Sequence, residues 1–180
     1  MGDIPDMPAE ADLLKGRPSR ARYDKVHLAL ERKWRRRELR PERMMREVVD
    51  ALWDSFAQSP YCWCGFYLLS ADAAVLILGP HRDHPRASPL PRQGLCGRAL
   101  NEGRAFIASD AGVLGEAQPG PEARRVCEIA LPVFDKAGKA WAVFYAESLA
   151  RGVFDEMDQR WLEKILKHFQ SVGAPESGRQ

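Results

Sequence analysis

The residues best suited to chemistry are four cysteines, Cys62, Cys64, Cys96 and Cys127, and two histidines in the run His81-Arg82-Asp83-His84. Cys96 draws attention first. It stands in PRQGLCGRALNEG between Gly94 and Gly97, just ahead of a short helical run. Glycine on both sides gives the backbone wide freedom and suggests that the sulfur has little cover. A thiol at a helix start can have a lowered pKa and act as a nucleophile or redox sensor, and it can equally be a small packing residue. The two histidines lie in one loop with no second ligand cluster and with Arg82 between them, so no metal site is expected there.

The most basic segment, Arg32-Lys33-Trp34-Arg35-Arg36-Arg37 with Arg40 and Arg43, could neutralise phosphates. Glu31, Glu38 and Glu42 are interspersed, the pattern of a solvated helix face, and the formal net charge is only +2. A nucleic-acid role is therefore not expected. Trp34 among these charges would suit an anchor in a homodimer built from N-terminal helices.

These groups must be positioned by a chain of 180 residues, 45% apolar, which is long enough for one domain with its own core. No basic start leads into an apolar run, and no stretch is apolar enough to span a bilayer. A cytoplasmic protein without membrane contact is expected, with its cysteines as free thiols. Residues 1–22 carry prolines and no sustained period and are expected to form a flexible tail. A single domain is expected over 23–172, and 173–180 as a second tail.

Helical spacing begins at Tyr23 with Val26, Leu28, Leu30 and Trp34, and ends before Pro41. A second helix carries Met45, Val48, Val49, Leu52, Trp53 and Phe56 on one face. Tyr61–Leu69 and Ala74–Leu78 read as a hairpin, and Gly79–Gln93 as a loop. Leu95–Asn101 reads as a short helix closed by Gly103, Ala105–Ile107 as a brief strand, and Ala111–Arg125 as a long loop. Cys127–Phe134 and Lys139–Glu147 form a second hairpin, and a last helix starts near Asp155. The class is α+β, with helices gathered on one face of an antiparallel sheet.

Four blocks in this order resemble a GAF domain, and more narrowly the free methionine-(R)-sulfoxide reductases within that family. They are Trp63-Cys64-Gly65-Phe66-Tyr67-Leu68, Leu78-Gly79-Pro80, Gly94-Leu95-Cys96-Gly97 and Glu128-Ile129-Ala130-Leu131-Pro132. Phe154, Asp158 and Leu162 match the usual opening of the last helix. The resemblance implies a six-stranded antiparallel sheet with N- and C-terminal helices on one face and a loop-covered small-molecule pocket on the other. In the reductases a cysteine thiolate attacks the sulfoxide sulfur, a second cysteine forms a disulfide with it, and thioredoxin restores both. At least two thiols able to meet are needed, because the reaction leaves a two-electron oxidation on the protein.

By that resemblance Cys96 matches a resolving thiol. The family's upstream cysteine falls on Arg86, and its attacking cysteine falls near Pro121. Trp63, Tyr67 and Glu128 match pocket residues, while two acidic positions on the next strand fall on Tyr145 and Glu147. If Trp63 and Tyr67 line the pocket, strand alternation puts Cys62 and Cys64 on the helix side, and Cys127 likewise. The implied protein is a sensory or regulatory domain with a degenerate active site and no cofactor. It would bind a small polar ligand, amino-acid-like, against Trp63, Tyr67 and Tyr145, with Glu128 and Glu147 as anionic anchors and Arg86 as a cationic contact. Two alternatives stay open: a working reductase using Cys96 with an external thiol, and an interaction module in which Tyr145 fills the old pocket. A cyclic-nucleotide reading would need Arg86, Arg92 and Arg98 as anion contacts.

Overall fold

The computed structural model describes residues 20–35, 38–56, 60–109 and 127–174. Two helices lead: α1, Arg20–Trp34, and α2, Pro41–Phe56. Strands β1 (Tyr61–Leu69), β2 (Val75–Arg82) and β3 (Leu90–Pro91) follow, then α3 (Gly94–Glu102). The chain continues with β4 (Phe106–Ala108), β5 (Cys127–Phe134), β6 (Ala140–Ser148), α4 (Glu156–Leu166) and a 3-10 turn, Lys167–Ser171. The strands form one sheet in the order β3-β2-β1-β6-β5-β4, and every pair is antiparallel. The proposed loops Gly79–Gln93 and Ala111–Arg125 fare differently. The first contributes the end of β2 and all of β3, while the whole of the second lies outside the described residues, as do 1–19 and 175–180.

Alternation along the strands sorts the interior into two layers. Tyr61, Cys64, Phe66, Ile129, Leu131 and Phe144 join the buried faces of α1, α2 and α4 in the larger core. Trp63, Tyr67, Ala130, Val143 and Tyr145 form a second, smaller core with Leu95, Cys96, Ala99 and Leu100 of α3. The sheet thus has helices on one side and the α3 layer on the other. Among the described residues, no helix is long and apolar enough to cross a membrane.

α1 starts at Arg20, three residues before the helical spacing begins. Its buried face is Tyr23, Val26, His27, Leu30 and Trp34, while Leu28 is exposed. Trp34 does not stand out as an interface anchor. It is buried within the chain against His168 and Phe169, and its Nε1 donates to Glu47 Oε2 at 2.7 Å. Lys33 and Arg43 also reach Glu47, each at 3.2 Å. Burial pushes the Glu47 carboxyl up, but hydrogen bonds from Trp34, Lys33 and Arg43 outweigh it and hold the pKa low. Part of the basic run therefore serves an internal carboxylate.

α4 is opened by a capping box. Asp155 accepts from the Met157 and Asp158 amides, and Asp158 accepts from the Asp155 amide at 2.8 Å. Asp158 is buried and also accepts a hydrogen bond from the Tyr23 hydroxyl at 2.9 Å, which ties α1 to α4. Tyr23 in turn lies 2.9 Å from the Tyr61 hydroxyl. Burial is the main cause that raises the Asp158 pKa to about 6, against an ordinary 3.8. A carboxyl raised on folding contributes stability that is full below its unfolded pKa and is lost as pH rises through the folded one. Urea titrations of wild type should show this contribution, of order 2 kcal/mol, disappearing between about pH 4 and pH 7 relative to Asp158→Asn. A difference that does not vary with pH would refute the assignment.

Candidate functional site

The site is built on the α3 side of β1, β5 and β6. Glu128 of β5 and Glu147 of β6 are paired directly across the two strands, so they share a face, and both are buried. On the other side of β6, Trp63 of β1 is opposite Glu147, and Gly65 is opposite Tyr145. Trp63 is the hub. Its ring lies 5.8 Å from Tyr145, 6.3 Å from Tyr67 and 5.9 Å from His81, with which it stacks. A Cβ on Gly65 would stand 2.6 Å from both His81 Cβ and the Trp63 ring. Glycine at this strand position lets the indole and imidazole close over the backbone.

The segment between β2 and β3 folds over this face and is held by groups of the wall itself. Trp63 Nε1 donates to the His84 carbonyl at 2.9 Å, and the Tyr67 hydroxyl to the Ala87 carbonyl at 3.2 Å. Between these anchors Arg86 turns inward. Its guanidinium donates to Glu147 Oε2 at 2.9 Å, and its Cζ lies 5.7 Å from the centre of the Trp63 ring. Arg86 and Glu147 form a largely buried ion pair whose side chains are 15% and 1% exposed. The fold thus gathers Trp63, Tyr67, Arg86, Glu128, Tyr145 and Glu147 on one face.

Cys96 belongs to the same layer, in the first turn of α3, but only 7% of its surface is exposed. The flanking glycines do not leave its sulfur uncovered; they bring α3 close instead. Gly94 has φ +79, and Gly97 lies against the backbone of Arg92. Pro121, aligned with the attacking cysteine of the reductases, lies outside the described residues.

Cys62 is placed differently from the sequence reading. The β1–β6 register slips by one residue between Tyr61 and Trp63. This bulge breaks the alternation, so that Tyr61 and Cys64 both join the helix-side core and Cys62, one residue before Trp63, does not. Cys62 is only partly buried. Burial pushes its thiol up to about 12; the Glu147 carboxylate adds to the rise and Arg86 opposes it. It therefore sits in the field of the ion pair rather than among the helices. Cys64 and Cys127 are in the helix-side core, and burial raises both thiols.

The remaining candidates are occupied elsewhere. His81 Nδ1 lies 2.9 Å from the Gly79 carbonyl, Arg82 pairs with Asp50, and His84 Nε2 is 3.8 Å from Asp83. Arg92 donates to the Ala73 carbonyl and to Asn101, and Arg98 lies over Phe106 and near Glu102. Neither arginine is directed at the Glu128–Glu147 face, which removes the anion cradle that a cyclic nucleotide would need.

A six-stranded antiparallel sheet in this order, with helices behind and an aromatic, acidic face in front, defines the class, and the model of the GAF domain matches residues 38–171. The chain belongs to the GAF domain family. Its sequence is 31% identical over 127 residues to GAF domain-containing protein A of Dictyostelium discoideum, covering 68% of this chain and 75% of that protein. It is 29% identical over 110 residues to the free methionine-R-sulfoxide reductase of Saccharomyces cerevisiae, covering 58% of this chain and 59% of the yeast protein. Among solved structures, the fRMsr of Staphylococcus aureus in complex with its substrate superposes with a TM-score of 0.76 at 26% identity, covering 87% of this chain and 97% of that one. The chain is thus a GAF domain related to the free methionine-R-sulfoxide reductases.

Proposed function

We propose that this GAF domain binds a small zwitterion of the amino-acid type and serves a sensory or regulatory role, having lost the reductase chemistry of its relatives. The observation that carries the reading is the arrangement of charge. Two buried carboxylates face each other across β5 and β6, and the Arg86 guanidinium pairs with Glu147 beside them. In this reading the paired carboxylates attract an ammonium group, Arg86 attracts a carboxylate, and Trp63 and Tyr145 offer ring faces to the ligand's cationic end. Loss of turnover follows from the thiols. The reductases' upstream cysteine is replaced by Arg86, whose guanidinium cannot form a disulfide.

Calorimetry with methionine, both its sulfoxides and a panel of other amino acids tests the proposal. At least one should bind. Glu128→Gln should weaken that binding by about 10- to 100-fold, the worth of a hydrogen bond to a charged group. No heat with any member would reject the ligand class.

The bulge at Cys62 supports a second reading. It takes a thiol off the helix side and sets it in the field of Arg86 and Glu147, leaving Cys96 and Cys62 both outside the helix-side core. In that reading Cys96 takes the oxygen from the sulfoxide, releasing the thioether and becoming a sulfenic acid. An external thiol or Cys62 then condenses with it, releasing water and leaving a disulfide for thioredoxin to reduce. The raised Cys62 pKa weighs against it, since that thiol is almost wholly protonated at neutral pH. NADPH consumption in a thioredoxin-coupled assay, abolished by Cys96→Ser, would establish this reading and reject the first.

A further inference from the structure

On the opposite side of the molecule, three side chains able to ligate a metal converge where α1 meets the C-terminal 3-10 turn. His27 and Glu31 lie one turn apart on α1, and His168 comes from the turn. One ligating atom from each lies within 4.8 Å of the others. His27 Nε2 stands 4.0 Å from Glu31 Oε1, and the two imidazole rings are 5.4 Å apart between centroids. His27 is only 6% exposed, yet its Nδ1 has no hydrogen-bond partner among the described residues. Buried polar atoms nearly always have a partner, so this one calls for a partner that the described residues do not supply.

We propose that His27, Glu31 and His168 bind a divalent transition-metal ion of the zinc class, clipping the first helix to the C-terminal turn. Two imidazoles and a carboxylate form a nitrogen–oxygen set that suits zinc, and three protein ligands leave a fourth position for water. Ligand atoms around tetrahedral zinc lie about 3.3 to 3.6 Å apart, from bonds of about 2.0 to 2.2 Å, so the three groups need only draw together by side-chain rotation. The helix supplies two of them at a spacing of four residues, which puts both on one face.

Several neighbouring charges bear on the site. The charges of Glu31 and Lys164 act on both imidazoles in opposite senses. Lys164, whose Nζ lies 4.7 Å over the Trp161 ring, also opposes a bound dication. Arg35 competes for Glu31 at 3.8 Å, while Asp24 adds negative charge near His27. The sequence gives little hint of this cluster, because His168 is far along the chain from the other two ligands and no ligand-spacing motif links them.

The test uses the full chain, reduced and stripped of metal with a chelator. Calorimetric titration with Zn²⁺ should show one ion bound per chain, and zinc should raise the melting temperature. Glu31→Gln and His168→Gln, both partly exposed positions, should each weaken binding more than about tenfold. Cys62→Ser should leave it unchanged. Titration with Co²⁺ should give visible absorption of a tetrahedral site without a thiolate charge-transfer band. The proposal is overturned if zinc does not bind, if binding survives both substitutions, or if the cobalt spectrum shows thiolate ligation.

Discussion

Arg86→Ala should destabilise the protein by about 3 kcal/mol, a large share of the total stability of a domain this size. Glu147 is 1% exposed, and the substitution takes away the guanidinium 2.9 Å from its carboxylate. Taking one partner from a buried pair costs about 3 to 5 kcal/mol, because the remaining charge keeps its desolvation penalty and loses its counter-charge. Arg86 retains 15% exposure, so water can reach the vacated position, and the lower end of that range is expected. The double substitution Arg86→Ala with Glu147→Gln should recover much of the loss, since the Glu147 charge that lost its counter-charge is then removed. Urea midpoints of the two single variants and the double variant close the cycle. A loss for Arg86→Ala below about 1 kcal/mol, the range of a surface pair, would show that the pair is not a buried one.

The second large effect is expected at Gly97. Helix propensity alone favours Gly97→Ala, by up to about 1 kcal/mol in a helix interior. Packing argues the other way. A Cβ at this position would lie 2.1 Å from the Arg92 carbonyl oxygen and 2.2 Å from its carbon. Both are backbone atoms, which cannot swing aside as the end of a long side chain would. Relief requires α3 to move away from the segment that enters it, at a cost of about 3 kcal/mol, and occasionally more, for overpacking. The clash outweighs the propensity. With the propensity gain set against the clash, a fall in melting temperature of roughly 4 to 12 °C is expected by calorimetry. Because Cys96 is the adjacent residue, its reactivity with a thiol reagent should rise as α3 lifts. A variant that melts at or above wild type would contradict the close approach.

The order of elements was legible because the apolar periods are long. The α2 face repeats over sixteen residues, and β5 runs over the same residues that its pattern marks. Five strands could be read from pattern, while the sixth came only with the family resemblance. Leu90–Pro91 is too short to carry a period, and its partners, Val75 and Leu76 of the neighbouring β2, come from well before it in the chain. The end of β2 was hidden for another reason: Gly79, Pro80, His81 and Arg82 have the composition of a loop. His81 is nonetheless held there by stacking on Trp63, with Gly65 opposite making room.

The candidate site was legible in its identities but less so in its geometry. Alternation puts Trp63 and Tyr67 on one face, and the register then adds Glu128, Tyr145 and Glu147. That Arg86 closes on Glu147 depends on the course of a loop, and no local signal gives it. The bulge at Cys62 is likewise invisible along the chain, because it exists only as a mismatch with β6. One inserted residue was enough to move a thiol from the helix side to the neighbourhood of the ion pair.

The sheet order has a consequence for the chain during synthesis. β1 and β6 are neighbours at the centre of the sheet, yet one is the first strand made and the other the last. Until Ser148 has left the ribosome, the aromatic segment YCWCGFYLL has no partner on one edge. An unpaired, apolar strand invites pairing with other chains. The nascent polypeptide must therefore keep its first three strands shielded, most simply under the helices already made, until the second half arrives to complete the sheet.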